Sequence, residues 1–325
     1  MTLPTIDDIR AAAAQIRPHA VVTPLIESNR LNDRLGGRVL LKLETLQRTG
    51  TFKFRGAYNK ISRLSTGAHP GGVVASSSGN HAQGVADAAR MMGFAAAIVM
   101  PAQAPALKLA RTKALGAEVI AYDRDTDDRE AIFARVARER NAVMVPPFDD
   151  PEIIAGQGTV GLEIMAQAGE RGVVPDLVLV PCGGGGLVSG VSIAVHASHP
   201  ASQIIAIEPE GFDDTARSLA SGQRARNSRQ GGSICDALLS PSPGVLTLAV
   251  CLAQSVAAAT VSDRQVRDAV RYAFEELKLV LEPGGAVGLA ALLSGAVPLN
   301  GRTAAIVLSG GNIDPALFAE IVTGA

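Results

Sequence analysis

An α/β fold built on mainly parallel sheets is what this sequence predicts, on three observations. Short apolar segments recur along the 325 residues, at 95–100, 118–121, 177–180, 204–207 and 304–308, and read as strands. Ala-rich helical stretches lie between them, the alternation that puts parallel strands in one layer and helices on its faces. Polar or glycine-rich turns join several strands to the following helix, at the sheet edge where ligands of open α/β folds bind. The length is sufficient for a large core divided between two lobes.

The first informative element is Thr51-Phe52-Lys53-Phe54-Arg55-Gly56-Ala57-Tyr58-Asn59-Lys60, which follows a turn at Thr49-Gly50 and opens a helical pattern. Lys53 stands at the helix start. There the positive end of the peptide dipole lowers the cost of an uncharged amine, as a lysine that must form a Schiff base requires. Taken alone, the same pattern also describes a surface lysine.

Next comes Ser76-Ser77-Ser78-Gly79-Asn80-His81-Ala82-Gln83-Gly84, between the apolar run 71–75 and the helix-like 85–92. A strand, a tight polar turn and a helix in this order offer backbone N–H groups and hydroxyls at one point, which suits a carboxylate. A capping cluster without a ligand is the plainer alternative. Three serines, an asparagine and a histidine in six residues exceed what capping needs.

Residues 178–190 repeat the arrangement with four consecutive glycines, Gly183, Gly184, Gly185 and Gly186, followed by Leu187 and a helix start. Such a run costs backbone entropy and makes sense where a phosphate must touch main-chain N–H groups. The P-loop pattern is not matched and the dinucleotide fingerprint is weak, so a phosphate monoester fits better. At 304–312 a strand ends in Ser309-Gly310-Gly311, which either aims a hydroxyl into the binding crevice or begins a turn.

Lys53, the Ser77-Ser78-Gly79-Asn80-His81 loop, Gly183 to Gly186 and Ser309 together resemble the fold-type-II pyridoxal-phosphate enzymes, specifically the serine/threonine dehydratase and serine racemase family. The resemblance extends through Thr23-Pro24-Leu25, Leu40-Leu41-Lys42-Leu43-Glu44, Ala155-Gly156-Gln157-Gly158-Thr159 and Glu282-Pro283-Gly284-Gly285-Ala286. One departure is Thr51, which stands where the family usually has serine and keeps the hydroxyl.

The resemblance implies a tryptophan-synthase-β-like α/β fold of two lobes, each with a mainly parallel sheet flanked by helices. Residues 1–70 and 150–325 would form a large cofactor-binding domain, and 71–149 a small mobile substrate-binding domain. Lys53 would carry pyridoxal 5'-phosphate and then take the substrate's Cα proton. Phe52, Asn80, Gly183, Gly184, Gly185, Gly186, Leu187, Glu282, Ser309 and Gly310 would surround the cofactor, with Asn80 at the phenolic oxygen, the glycines at the phosphate and Ser309 at the pyridine nitrogen. A serine cannot keep that nitrogen protonated as an aspartate would, so the cofactor is a weaker electron sink, suited to rapid β-elimination.

Ser77, Ser78, Gly79, Asn80, His81 and Gln157 would hold the substrate, with Ser78 placed for proton transfer on the face opposite Lys53. The implied activity is a dehydratase, or ammonia-lyase, that removes water from L-threonine or L-serine and yields a 2-oxo acid and ammonia. Serine racemisation by the same two bases is the nearest alternative. A non-catalytic cofactor- or amino-acid-binding protein is the alternative from another class, and the intact Lys53, Ser78 and Asn80 speak against it.

Two further expectations depend on the same resemblance. Glu208, the Phe212 carbonyl and Asp214 match residues that hold a divalent cation in the racemase-like branch, and hard oxygen ligands suit Mg²⁺ or Ca²⁺. Arg129 aligns with an arginine that reaches a substrate's distal group there; a guanidinium would favour a second carboxylate, as in 3-hydroxyaspartate. A solvated acidic loop and an exposed arginine are the plain alternatives, and phenylserine-type substrates stay open.

A net charge of −1 without a basic cluster argues against nucleic acid and anionic membranes as partners, leaving a small-molecule amino acid. Apolar runs break before membrane-spanning length and no signal-peptide pattern opens the sequence, so a cytoplasmic protein is expected. The three cysteines, Cys182, Cys235 and Cys251, are widely spaced and fit reduced thiols, with Cys182 a strand-end packing residue. Residues 221–243 read as a long loop near the site or a subunit contact. The family implies a homodimer, and no C-terminal regulatory domain is expected.

Overall fold

The computed structural model describes residues 2–324 apart from 78, 105, 124, 125 and 230. The chain opens with α1 (Ile6–Ile16), closed by a capping box in which the Thr5 hydroxyl accepts from the Asp8 N–H and the Asp8 carboxylate accepts from the Thr5 N–H. Next come β1 (Leu25–Glu27), α2 (Asn29–Leu35), β2 (Arg38–Leu43), two short 3₁₀ turns and α3 (Lys53–Ile61). The middle of the chain is a run of parallel units: β3 (Val73–Ser76), α4 (Asn80–Met92), β4 (Ala96–Pro101), α5 (Ala106–Ala114), β5 (Glu118–Tyr122), α6 (Arg129–Arg140) and β6 (Val143–Met144). After α7 (Pro151–Glu170) come β7 (Leu177–Pro181), α8 (Gly186–His196), β8 (Gln203–Pro209), α9 (Asp214–Ser221) and α10 (Val245–Ala253). The chain ends through β9 (Ala257–Val261), α11 (Asp263–Tyr272), α12 (Pro283–Leu293), β10 (Thr303–Leu308) and α13 (Pro315–Thr323).

Two sheets result, one in the order β1-β2-β10-β7-β8-β9 and one in the order β5-β4-β3-β6. Among the described residues every strand pairing is parallel except β1 with β2. The five apolar segments read as strands are β4, β5, β7, β8 and β10, and the run before the serine turn is β3. β9 was not predicted, because Ala257-Ala258-Ala259 has little strand propensity; it is a strand because it pairs along β8 at the sheet edge.

Both faces of the larger sheet are covered, as a parallel sheet requires. On β10 the alternation is direct: Ala304, Ile306 and Leu308 join a core with Ala286 and Ala290 of α12, while Ala305 and Val307 join one with Val188 and Val191 of α8. Cys182 lies in that second core, and all three cysteines are free and buried. A third core packs Phe54, Ala57 and Ile61 of α3 against Val73 and Ala75 of β3 and Ile98 of β4. Helix α3 therefore touches the smaller sheet on one side and α7 on the other.

The contact of α3 with α7 is nearly backbone to backbone. A Cβ built on Gly156 would lie 2.6 Å from the Gly56 Cα, and one on Gly56 would lie 2.5 Å from the Gln157 amide nitrogen. Beside this contact lies a buried ionic cluster. Arg55 donates to both Glu44 carboxylate oxygens at 2.8 Å and to Glu163 at 2.6 and 2.9 Å, while Lys42 donates to Glu163 at 2.6 Å. Arg55, Lys42 and Glu44 are fully buried. Two cations meet two carboxylates, so the cluster is formally neutral, and against the cost of burial Arg55 holds Glu44 below the usual carboxylate range.

Removing one partner of such a cluster strands the other charge. Arg55→Met leaves Glu44 buried and unpaired and is expected to lower stability by about 3–5 kcal/mol in urea unfolding, with Arg55→Lys recovering part of it. A loss below about 1 kcal/mol would show that the cluster does not hold α3 in place.

Candidate active site

The turns singled out in the sequence all leave the carboxyl ends of parallel strands, which is why they meet: Ser76 ends β3, Pro181 ends β7 and Leu308 ends β10. Lys53 joins them because its helix start is pinned to the turn after β10. The Phe52 N–H donates to the Ser309 carbonyl at 3.2 Å, and Thr51 forms a bridge with Gly310. The Lys53 amine donates to the Pro147 carbonyl at 2.8 Å and sits 5.1 Å from the centre of the Phe52 ring. Burial pulls its pKa down to about 8, against the opposing charge of Glu282.

Glu282 begins α12 and its N–H donates to the Gly310 carbonyl at 3.1 Å. One of its carboxylate oxygens accepts from Asn80 at 2.6 Å, and the other finds no partner. Burial pushes Glu282 up to about 7, against the pull of Lys108. The Asn80 amide oxygen in turn accepts from Asn312 at 3.0 Å, and Asn312 also donates to the Thr49 carbonyl at 2.8 Å. One N–H of the Asn80 side chain stays free for a ligand.

Two helix starts are left with unpaired donors. None of the main-chain N–H groups from Gly183 to Val188 reaches an acceptor among the described residues; the first that does is Ser189, which donates to the Gly185 carbonyl at 3.0 Å. The loop is held in shape by its surroundings. A Cβ on Gly184 would fall 2.3 Å from the Phe148 ring, and Gly185 has a φ of +93° that favours glycine. At α4 the N–H groups of Asn80, His81 and Ala82 reach no acceptor among the described residues, while the Gly79 N–H donates to the Ser77 hydroxyl at 3.1 Å. Ser78, predicted as the second base, lies outside the described residues.

A model of the family described as "Pyridoxal-phosphate dependent enzyme" matches residues 16–310. The chain belongs to this family. It is 39% identical over 324 residues to the L-threo-3-hydroxyaspartate ammonia-lyase of Saccharomyces cerevisiae, covering 100% of this chain and 98% of that one. It is 41% identical over 320 residues to the L-threonine ammonia-lyase of Thermotoga maritima, covering 98% of this chain and 78% of that one. The structure of maize serine racemase superposes with a TM-score of 0.91 at 37% identity, covering 99% of this chain and 98% of that one. The chain is thus a fold-type-II pyridoxal-phosphate enzyme.

The residues present fit that cofactor. Successive unpaired N–H groups, mostly buried, at the start of α8 are a site for a phosphate dianion, since unpaired donors in a protein interior are otherwise costly. Leu187 is buried in the same turn, and Ser309, 4 % exposed, has a hydroxyl without a partner among the described residues. Lys53 supplies a half-buried amine within the same set of contacts.

Three of the candidate substrate-binding residues make protein contacts of their own. The His81 ring donates through Nε2 to the Val145 carbonyl at 2.9 Å, and burial lowers its pKa to about 3. Its Nδ1 is therefore a bare, unpartnered acceptor, so the ring cannot donate to a carboxylate. Gln157 is 1 % exposed and accepts from the Gly56 N–H at 3.3 Å, a helix-to-helix contact, while its amide nitrogen has no partner among the described residues. Arg129 is exposed at the start of α6 with its guanidinium on Glu130, and no contact joins it to Lys53, Asn80 or the glycine loop.

At Glu208, both carboxylate oxygens accept main-chain N–H groups at the start of α9, from Thr215 at 2.9 Å and Ala216 at 2.8 Å. Asp214 is buried nearby with one oxygen bonded by Asn227 and the other unpartnered, and Phe212 is buried beside them. Burial and the Asp214 charge push Glu208 up to about 8; burial pushes Asp214 up to about 6. Among the described residues no three His, Cys, Asp or Glu side chains cluster around one point, so a cation here would depend on the Phe212 carbonyl and on water. Among the described residues no helix is long and apolar enough to cross a membrane.

Local sequence patterns do not reveal Lys108, Asp236 or Asn312. Lys108 sits on a short helix whose spacing does not distinguish it from Lys113, yet Lys108 is buried and Lys113 exposed. Its stem packs against Gly79 and its ammonium pairs with Asp236, 128 residues away.

The acid pair at Glu208 has a consequence for stability. Its folded pKa lies above the ordinary 4.5, so the folded protein holds a proton the unfolded chain releases, and that stability is lost as pH rises toward about 8. In protein treated with a chelator, the fall in thermal midpoint across this window is expected to be shallower for Glu208→Gln; identical slopes would dismiss the pair as its source.

Proposed function

We propose that this protein is a dehydratase, or ammonia-lyase, that removes water from a β-hydroxy amino acid of the L-threonine or L-serine type and releases a 2-oxo acid and ammonia. The observation that carries it is the half-buried Lys53 amine, held at the carboxyl edge of the sheets beside two helix starts whose first N–H groups reach no acceptor among the described residues. Similarity to relatives named for threonine and hydroxyaspartate ammonia-lyase activity supports the substrate class.

Bound pyridoxal 5'-phosphate supplies the electron sink that acidifies the Cα–H bond and lets the β-substituent leave. The chain's own groups do the rest. N–H groups from Gly183 to Val188 would hold the phosphate, the Ser309 hydroxyl would serve the ring nitrogen, and the second Asn80 side-chain N–H would serve the phenolic oxygen. The N–H groups of Asn80, His81 and Ala82 hold the substrate carboxylate, so His81 acts through its backbone, not its ring. With its pKa near 8, Lys53 is uncharged in an appreciable fraction of molecules at neutral pH and takes the Cα proton. The hydroxyl leaves as water, the proton it gains balancing the one Lys53 takes from Cα, and the released enamine tautomerises to an imine that water hydrolyses to the 2-oxo acid and ammonia.

Residues 71–149, which carry the carboxylate loop, form a small domain that closes on residues 1–70 and 150–325, which carry Lys53, the phosphate loop and Ser309. Closure brings carboxylate and amine together and excludes water. A homodimer in the cytoplasm belongs to the same proposal. Glu208, the Phe212 carbonyl and Asp214 would hold Mg²⁺ or Ca²⁺, which would relieve the crowding of two buried carboxylates and raise the thermal midpoint, but not in Glu208→Gln.

Purified protein supplied with the cofactor is expected to release 2-oxo acid and ammonia from L-threonine or L-serine, and Lys53→Ala to lower turnover by about 10³-fold or more. Bound cofactor without elimination, together with slow inversion of serine, would make the protein a racemase instead. Undiminished turnover in Lys53→Ala would remove the lysine from the mechanism.

A further inference from the structure

Lys108 is the one buried lysine of the cleft that the proposed chemistry leaves unused. Its stem packs on the carboxylate loop: a Cβ built on Gly79 would fall 2.7 Å from the Lys108 Cδ and 3.4 Å from its Nζ. Its ammonium pairs with Asp236, in a 3₁₀ turn of the larger unit, and this is its only ion pair among the described residues. That turn lies on the phosphate loop, since a Cβ on Gly183 would be 3.2 Å from the Leu238 Cα. The Lys108–Asp236 pair therefore spans from the loop proposed for the substrate carboxylate to the loop proposed for the phosphate. Glu282, bonded to Asn80 one residue beyond Gly79, adds a further carboxyl to the same cleft.

The two partners are unequally placed. The Lys108 side chain is 9 % exposed and that of Asp236 43 %. Asp236 can turn into water at little cost, whereas Lys108 cannot leave and needs a negative partner. A substrate with a carboxylate on Cβ would bring a second negative charge into a cleft that already holds Glu282 and Asp236. Of the arginines nearby, Arg48 is paired with Asp87, while Arg111, one turn beyond Lys108, donates to the neutral Asn312 amide oxygen.

We propose that Lys108 reads the distal substituent of the substrate: it takes the second carboxylate of a 3-hydroxyaspartate-type amino acid, which displaces Asp236, and it keeps Asp236 when the substituent is neutral. This rests on the dehydratase proposal for the same site and replaces Arg129 as the residue that distinguishes the two substrate types. The exchange conserves charge, because one carboxylate leaves the ammonium as another arrives.

The test compares wild type, Lys108→Met, Asp236→Asn and Arg129→Ala, each loaded with cofactor, on L-threonine, L-serine and L-threo-3-hydroxyaspartate. Lys108→Met is expected to lower kcat/KM for hydroxyaspartate relative to threonine by about 10- to 100-fold, mainly through KM. Asp236→Asn is expected to shift the same ratio toward hydroxyaspartate, and Arg129→Ala to leave it as in wild type. Titration of the bound cofactor's visible absorbance with L-aspartate and L-alanine, which lack the leaving hydroxyl, reads the contact without turnover. Lys108→Met should weaken L-aspartate alone. Equal loss for all ligands, or a ratio that follows Arg129 and not Lys108, would overturn the proposal. Should Lys108→Met fail to fold, Asp236→Asn reads the contact from the other side, and an unchanged ratio there overturns it too. If no hydroxy amino acid is eliminated, the dehydratase proposal falls, and the titration still decides the role of Lys108.

Discussion

The position of one helix start governs this molecule, and the buried cluster of Arg55 with Glu44, Glu163 and Lys42 holds it. Arg55 lies two residues beyond Lys53, so its contacts with the turn at Glu44 and with α7 fix the first turn of α3. Burying four ionised groups is costly unless every charge meets its opposite with good geometry. Here the formal charges cancel, and Thr23, Thr159 and Gln167 supply further hydrogen bonds. The glycine contact between Gly56 and Gly156 works in the same direction, because it lets α3 and α7 approach until the guanidinium spans them.

From that fixed point the cleft follows by a chain of hydrogen bonds. Phe52 is tied to Ser309, Gly310 to Glu282, Glu282 to Asn80, and Asn80 to Asn312, which returns to Thr49 ahead of α3. The circuit joins the larger sheet to α4 of the smaller one through side chains alone at Asn80. Its electrostatic result is a lysine with a lowered pKa facing a carboxyl with a raised one, both shifted first by burial. Each charged form is disfavoured by the same low-polarity surroundings, which leaves the amine easier to deprotonate than in water.

Much of this was legible where the signal is local. Lys53 at a helix start, the four glycines before α8 and Ser309 at a strand end are statements about single turns, and single turns are set by neighbouring residues. The parallel sheets were legible for the same reason, since each strand is a short apolar run. What could not be read depends on distant partners. Arg55 and Lys42 look like ordinary surface cations until folding places Glu44 and Glu163 on them. Gln157 sits in a segment the family resemblance linked to substrate, yet folding spends its amide oxygen on Gly56. The resemblance placed His81 at the substrate without saying through which group, and only the Val145 carbonyl shows that the single donor of its ring is taken.

The same accounting applies to the two helix starts whose first N–H groups reach no acceptor among the described residues. Each buried N–H without an acceptor costs on the order of 1–3 kcal/mol, and Gly183 to Val188 carry six such groups in succession, most of them buried. A sequence selected for stability alone would cap α8 with a serine or aspartate, as α7 is capped by Asp150 and α11 by Ser262. Here the glycines instead keep side chains away from the donors, against Phe148 and Thr247, and leave them open to an anion. The instability stored in that loop is the affinity available to a phosphate, which ties the stability of this fold to the cofactor of its family.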